Sequence, residues 1–184
     1  MNVKGAAFLA REALMVASQG ASTWRDYMAG YAEREPFFRH RITDRTLIPA
    51  EIFLAFNDDL IRRFFAGNDR TYWTFGERSA QFALAQGLLK GLFRPGDLAV
   101  WLEYTPQLWE AYYDAGHIEV QMLSETRANM YIADVPIPHV YFEYTAVGFA
   151  EGGLKQVGAR NPSPERLRGF SKGDKDVLYR FKLE

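Results

Sequence analysis

The stretch PQLWEAYYDAGHIEVQMLSETRANMYIADVP, running from Pro106 to Pro136, decides how this chain folds. Its first third has helical spacing. Thr105 offers a cap, Pro106 suits a first helical position where no backbone donor is needed, and Leu108, Trp109, Tyr112 and Tyr113 fall on one side. Gly116 ends that helix, since it can take the left-handed conformation that other residues resist. From His117 the period changes. Ile118, Val120 and Met122 point one way, and His117, Glu119 and Gln121 point the other. Ser124-Glu125-Thr126 makes a turn. Ala128, Met130 and Ile132 then repeat the alternation against Arg127, Asn129 and Tyr131. One apolar face and one polar face predict an antiparallel β-hairpin covered by helices on one side only.

Toward the C-terminus, Val135-Pro136-Ile137-Pro138 is a stiff connector because two prolines fix two φ angles. A long helix follows, to about Val157. Its residues Gly148, Gly152 and Gly153 each cost about 1 kcal/mol relative to alanine. Close packing has to offset that cost, most simply packing against the sheet. Asn161-Pro162-Ser163-Pro164 is a second stiff connector. The tail reads as a second hairpin, with its turn at Ser171-Lys172-Gly173-Asp174. There Val177, Tyr179, Phe181 and Leu183 alternate with Leu178, Arg180 and Lys182.

Toward the N-terminus the pattern is helical. A small, apolar helix is expected over residues 3–18. A second, capped by Ser22, carries the stripe Trp24, Tyr27, Met28 and Tyr31. The basic piece FFRHRITDR is a loop or short turn. Leu47-Ile48-Pro49 leads into a third helix with the stripe Phe53, Phe56, Leu60 and Phe64. A fourth, over roughly residues 70–93, has Gly76, Ala80, Ala83 and Gly87 in line, which lets another backbone come close. A helix capped by Asp97 should break or kink at Pro106.

Composition narrows the function. Hydrophobic residues make up 48% and aromatic residues 15%, which favours a large core or an aromatic-lined pocket. The net charge of −1 sets up no global field to recruit nucleic acid or an anionic membrane. The absence of cysteine removes disulfides, iron–sulfur clusters, thiolate zinc sites and cysteine nucleophiles together, and fits a cytoplasmic protein. Arg11 and Glu12 interrupt the apolar N-terminal run, where a signal peptide or membrane span would not place charges.

Candidate chemistry is sparse. His117 and Glu119 share a strand face, but no third metal ligand joins them, so a solvated polar face is the plainer reading. His40 sits among arginines in a loop, and His139 opens a helix, with a local role. Asp174 and Asp176 resemble half a calcium loop and read better as turn residues. Asp58 and Asp59 are adjacent on a helix and therefore diverge, unlike a paired acid and base. No P-loop, dinucleotide fingerprint or G-x-S-x-G appears. No metal site and no catalytic residue is assigned. The segment from Lys155 to Glu184 is basic, with eight Lys/Arg against four Asp/Glu. If its strands pair, Arg166, Arg168, Arg180 and Lys182 line the solvent side of the sheet, where an anionic partner would meet them. Phe53, Phe56, Trp73, Phe75, Tyr112, Phe142 and Phe149 are the candidates to line a pocket between helices and sheet, or else simply fill the core.

Three segments, LWEAYYDAGHIEV, VGFAEGGLKQVGA and SKGDKDVLYRFKL, occur in an order that resembles a myxobacterial-type bacterial domain family of unknown function. VKGAAFLA and YWTFGERSAQFALAQGLLK are similar to it as well, so the resemblance covers nearly the whole chain. That family is related in fold to 4-vinyl-reductase domains, haem-NO-binding-like domains and the small TRAPP vesicle-tethering subunits. Its shared positions are mostly apolar or glycine and speak for fold rather than function. Vinyl-reductase-type domains often carry C-x-x-x-G-D-x-x-C around the last hairpin. Gly173-Asp174 is present here without cysteine, so the resemblance carries no metal role. Haem-NO-binding proteins need a proximal histidine on a helix and a Y-x-S-x-R motif. Neither stands in the matching place, and Ser124 and Arg127 have the wrong spacing, so no haem or other cofactor is implied. The TRAPP relatives imply an interaction scaffold, sometimes with a lipid-sized tunnel.

The resulting expectation is a single α+β domain over residues 1–184. A helical part runs to about 115 and a hairpin–helix–hairpin part from about 116, with a four-stranded antiparallel sheet and helices mainly on one face. Its expected role is that of a non-enzymatic sensory or adaptor domain that binds a small apolar ligand or a protein partner and forms a homodimer. The alternatives are an enzyme acting on a hydrophobic substrate in a helix–sheet pocket, or a purely structural dimerisation module.

Overall fold

The computed structural model describes residues 1–87 and 89–183. A short strand β1 (Asn2–Lys4) leads into helices α1 (Gly5–Gln19) and α2 (Ala21–Arg34), then a 3₁₀ turn over Pro36–Arg39. Strand β2 (Leu47–Pro49) returns to pair antiparallel with β1 and runs directly into α3 (Ala50–Phe64). Helices α4 (Arg70–Ala85) and α5 (Leu98–Tyr112) follow. The hairpin β3 (His117–Ser124) and β4 (Arg127–Ala133), helix α6 (Val140–Gln156), and strands β5 (Glu165–Arg168) and β6 (Val177–Lys182) complete the chain.

The sheet order is β3-β4-β6-β5, antiparallel throughout. The expected α+β architecture is therefore present. Its inner face is the apolar half of the alternation: Ile118, Ala128, Met130, Ile132, Val177, Tyr179 and Phe181 are all buried. His117, Glu119, Gln121, Arg127 and Lys182 on the other side are exposed. The same core continues among the N-terminal helices. Phe8, Trp24, Tyr27, Tyr31 and Phe38 gather around Phe56, with Phe38 and Phe56 ring centroids 5.0 Å apart.

Four local expectations need correction. The N-terminal segment begins with the β1–β2 ribbon and not with a helix at residue 3; two three-residue strands are too short to show alternation. Helix α4 stops at Ala85, well before residue 93, and Leu88 lies outside the described residues. Helix α5 does not break at Pro106 but runs through it. Proline removes the donor that the Leu102 carbonyl would otherwise meet. The Thr105 hydroxyl instead donates to that carbonyl at 2.7 Å, so Thr105 repairs the helix rather than capping a new one. Finally, the glycines of α6 face helices and not the sheet. A Cβ on Gly148 would strike the Trp73 carbonyl of α4, and one on Gly152 would lie 2.7 Å from the Glu77 Cα. Gly153 is covered by the Trp101 indole of α5, which donates to the Ala150 carbonyl at 2.9 Å. On the α4 side the small-residue stripe does what small residues do, with Gly76 against the α6 backbone at Thr145 and Phe149. Helix α6 is thus held against α4 and α5, with Glu143 bonded to Tyr179 of the sheet, and most of its residues are buried.

Candidate functional site

Four helices leave a chamber of ≈ 90 Å³ between them. Helix α1 contributes Ala7, Ala10 and Arg11, and α4 contributes Phe75, Gly76 and Ser79. Helix α5 and the residue after it turn Thr105, Leu108, Trp109, Tyr112 and Tyr113 toward the space. Tyr141, Thr145, Ala146 and Phe149 of α6 close it, with Ile118 at the sheet end. Gly76 brings α4 close to α6 beside the chamber. Its walls are mainly apolar, and its mouth is rimmed by the partly exposed Leu108, Tyr112 and Phe149.

The only guanidinium in this lining is that of Arg11, which is 4% exposed. Its Nε donates to Oδ1 of Asn57 at 3.0 Å, and its Cζ lies 3.7 Å from the centre of the Phe75 ring. Nη1 is buried without a hydrogen-bond partner among the described residues. Burial draws the Arg11 pKa down, and the surrounding phenols of Tyr141, Tyr72 and Tyr113 work against that. The same burial, helped by Tyr141, pushes the Tyr113 phenol well above its ordinary value, so it stays protonated.

Of the seven aromatic candidates, Phe75, Tyr112 and Phe149 line this chamber. Phe53 and Phe142 lie behind its wall, edge-on to Tyr141 at 5.2 Å and to Tyr113 at 5.3 Å. Phe56 belongs to the N-terminal aromatic cluster. Trp73 stands elsewhere, in a notch of ≈ 240 Å³ shared with Arg70, Glu151, Arg166 and Tyr179. Sequence reading missed Arg11, Trp109, Tyr113 and Tyr141 as pocket residues. For Arg11 a signal was available: Ala7, Arg11 and Met15 are spaced by four, so an arginine sits on the buried stripe of α1.

The four basic candidates do not share one face. A bulge between Arg166 and Arg168 sets Arg166 opposite Tyr179 and Arg168 opposite Leu178, so the two point to different sides. Arg166 turns inward, where its Nη1 donates to the Ser171 hydroxyl at 2.8 Å and to the Tyr144 hydroxyl at 3.4 Å. Arg168 pairs with Asp176 at 3.1 Å, and Arg180 donates to Asn129 at 3.3 Å. Lys182 is exposed.

The histidines also have local partners or lie apart. His139 caps α6, its Nδ1 accepting from the Tyr141 backbone N–H at 3.1 Å, which leaves Nε2 to face Asp58 at 3.4 Å. Tyr72 donates to the same carboxylate at 2.6 Å. Burial pushes Asp58 up, but the hydrogen bonds from His139 and Tyr72 outweigh it and hold the carboxyl below its usual range. His117 lies 3.5 Å from Asp134, and His40 lines an open groove between α1, α2 and the loop after them. Asp174 accepts from the Gly169 N–H at 2.8 Å, tightening the last turn.

No protein-family model matches the chain. No curated protein sequence matches it either. Solved structures do. An H-NOX protein from S. oneidensis in the Fe(II)NO ligation state has a TM-score of 0.75 at 14% identity, over 98% of this chain and 99% of that one. An Fe(II) unliganded H-NOX protein from K. algicida gives 0.68 at 14% identity, over 98% and 97%. A structure described as probing heme distortion in the H-NOX family gives 0.69 at 16% identity, over 97% and 94%. The haem-NO-binding arm of the expected kinship thus shares this fold, from end to end.

The residues around the chamber do not fit haem. Helix α5 presents Thr105, Leu108, Trp109 and Tyr112 to it, and none of the three histidines reaches it. None of the ten tyrosines opens a Y-x-S-x-R motif; Tyr131, on the hairpin, begins Tyr-Ile-Ala-Asp-Val. A volume of ≈ 90 Å³ is also well below the range of roughly 300–1,000 Å³ usual for sites that take larger organic ligands.

Proposed function

We propose that this chain is a non-enzymatic sensory or adaptor domain that shares the H-NOX fold and holds a small ligand other than haem between α1, α4, α5 and α6. The observation that carries this is the chamber itself. It is apolar-walled, it is built at the junction of the helical part and the sheet, and it is lined by α5, the helix that enters the sheet directly. A ligand that changed the seating of Trp109 or Tyr113 would act on β3 through a three-residue link. The chamber's ionisable groups are an arginine and buried tyrosines, which supports a binding role over proton-transfer chemistry. Among the described residues no helix is long and apolar enough to cross a membrane. The cysteine-free composition supports a cytoplasmic setting.

Two measurements test this. The purified protein is expected to show no Soret band, and xenon, which enters small apolar cavities, should shift the NMR resonances of Trp109 and Ala146. A stoichiometric haem would overturn the exclusion of haem, and resonances indifferent to xenon would remove the chamber. Self-association belongs to the same reading, since β3 and β5 are both edge strands with unpaired backbone groups. Light scattering over a dilution series is expected to show a dimer that dissociates; monomer at every concentration would end that part.

A further inference from the structure

We infer that the chamber takes a small carboxylate, roughly two to four carbons long, with its anionic end on Arg11 and its tail against Leu108, Trp109 and Phe149. This rests on the chamber being the ligand site.

The argument starts from an uncompensated charge. Arg11 is almost fully enclosed, yet it enters no ion pair among the described residues. Its position is set from two sides. Asn57 presents its carbonyl oxygen to Nε because its own amide is tied to the Phe53 carbonyl at 2.8 Å, and Phe75 supports one face of the guanidinium. The terminal Nη1 is left without an acceptor. A buried cation without a counter-charge is costly, and a buried donor without a partner adds to that cost. Tyr113 does not supply the negative charge, because burial keeps its phenol protonated, and burial raises Tyr72 in the same way. The counter-charge therefore comes from a ligand. A guanidinium fork matches a planar oxyanion in shape as well as charge.

The walls and the volume choose among oxyanions. A bare oxyanion would leave the apolar surfaces of Leu108, Trp109 and Phe149 unfilled. A volume of ≈ 90 Å³ corresponds to about three water molecules. That accommodates a carboxylate with a short tail and excludes a long-chain acid.

The test is calorimetric titration of the full chain with formate, acetate, propionate, butyrate and hexanoate, and with propionamide and 1-propanol as uncharged counterparts. The Trp109 indole NMR resonance reports location. Propionate is expected to bind about tenfold to a hundredfold more tightly than propionamide or propanol, to shift the Trp109 resonance, and to exceed both formate and hexanoate. Arg11→Met should abolish the preference for the acid while leaving propanol unchanged, and Arg11→Lys should restore part of it. If Arg11→Met fails to fold, the acid–amide comparison on the wild type and Arg11→Lys still decide. Equal binding of acid, amide and alcohol would overturn this inference and leave the chamber standing. Formate binding as tightly as propionate would overturn the role of the tail. A Trp109 resonance that responds to xenon but to none of these compounds defeats the carboxylate alone; one that responds to nothing defeats the chamber as well.

Discussion

Gly148→Ala is expected to destabilise the protein by about 2 kcal/mol, against the roughly 1 kcal/mol that alanine gains in a helix interior. The reason is the contact between α4 and α6, which is backbone on backbone. A Cβ at Gly148 would collide with the Trp73 carbonyl and lie 3.1 Å from the Trp73 Cα. Neither is the movable end of a side chain, so the two helix axes would have to separate. Separation is resisted on both sides. Gly76 is seated on α6 with its own would-be Cβ 2.7 Å from the Phe149 nitrogen, and the Trp101 indole of α5 lies against Gly153 on α6. Gly148→Leu should therefore prevent folding altogether. Gly30 supplies the control. It lies inside α2 with nothing within 4 Å of the position a Cβ would take. Gly30→Ala is expected to stabilise by about 0.5–1 kcal/mol. Urea unfolding followed by circular dichroism measures both. A Gly148→Ala midpoint at or above the wild-type value would show that the helices are not in such close contact.

Glu143→Ala should cost about 3–5 kcal/mol, the scale for leaving the partners of a buried charge unmatched. Glu143 is 0% exposed in the middle of the core. Its carboxylate accepts from the Ser171 backbone N–H at 2.7 Å, the Ser171 hydroxyl at 2.9 Å and the Tyr179 hydroxyl at 2.7 Å, with Arg166 at 3.7 Å. One side chain thus joins α6 to β5, to β6 and to the turn between them. Gly169 leaves the room, since a Cβ there would run into the carboxylate. Removing Glu143 orphans three donors and leaves Arg166 half-buried without its counter-charge. Glu143→Gln keeps the shape but sets an amide against groups that donate, and should cost about 1–3 kcal/mol. Denaturant unfolding gives the size of each effect, and hydrogen exchange at Ser171 and Tyr179 gives its place. If alanine and glutamine variants both unfold within about 0.5 kcal/mol of the wild type, the carboxylate is not what fastens the last hairpin.

Glu143 also marks where sequence reading stops. At the level of pattern it is a charged residue early in a helix, and nothing nearby in the chain announces its partners. They come from 28 and 36 residues away. Arg166 shows the same limit on a smaller scale. Strand parity placed it beside Arg168 on the solvent side, and one bulged residue reversed it. Pro106 reads as a break or a kink from sequence, because the Thr105 hydroxyl that compensates for it acts only once the helix exists.

Both hairpins, the stripes of α2 and α3 and the single-sided sheet were legible because each follows from a periodicity of two or 3.6 acting over adjacent residues. Phe75, Tyr112 and Phe149 were legible as pocket candidates, but nothing in the sequence separated them from Phe53, Phe56, Trp73 and Phe142, which do not line the chamber. Which aromatic residues meet, which glycines touch which helix, and whether Arg11 finds a counter-charge depend on contacts between segments far apart in the chain. Those contacts are set by how the layers stack, where the choice of facing neighbours belongs to no single stretch. The chamber is a property of that stacking, since a void has no residues of its own.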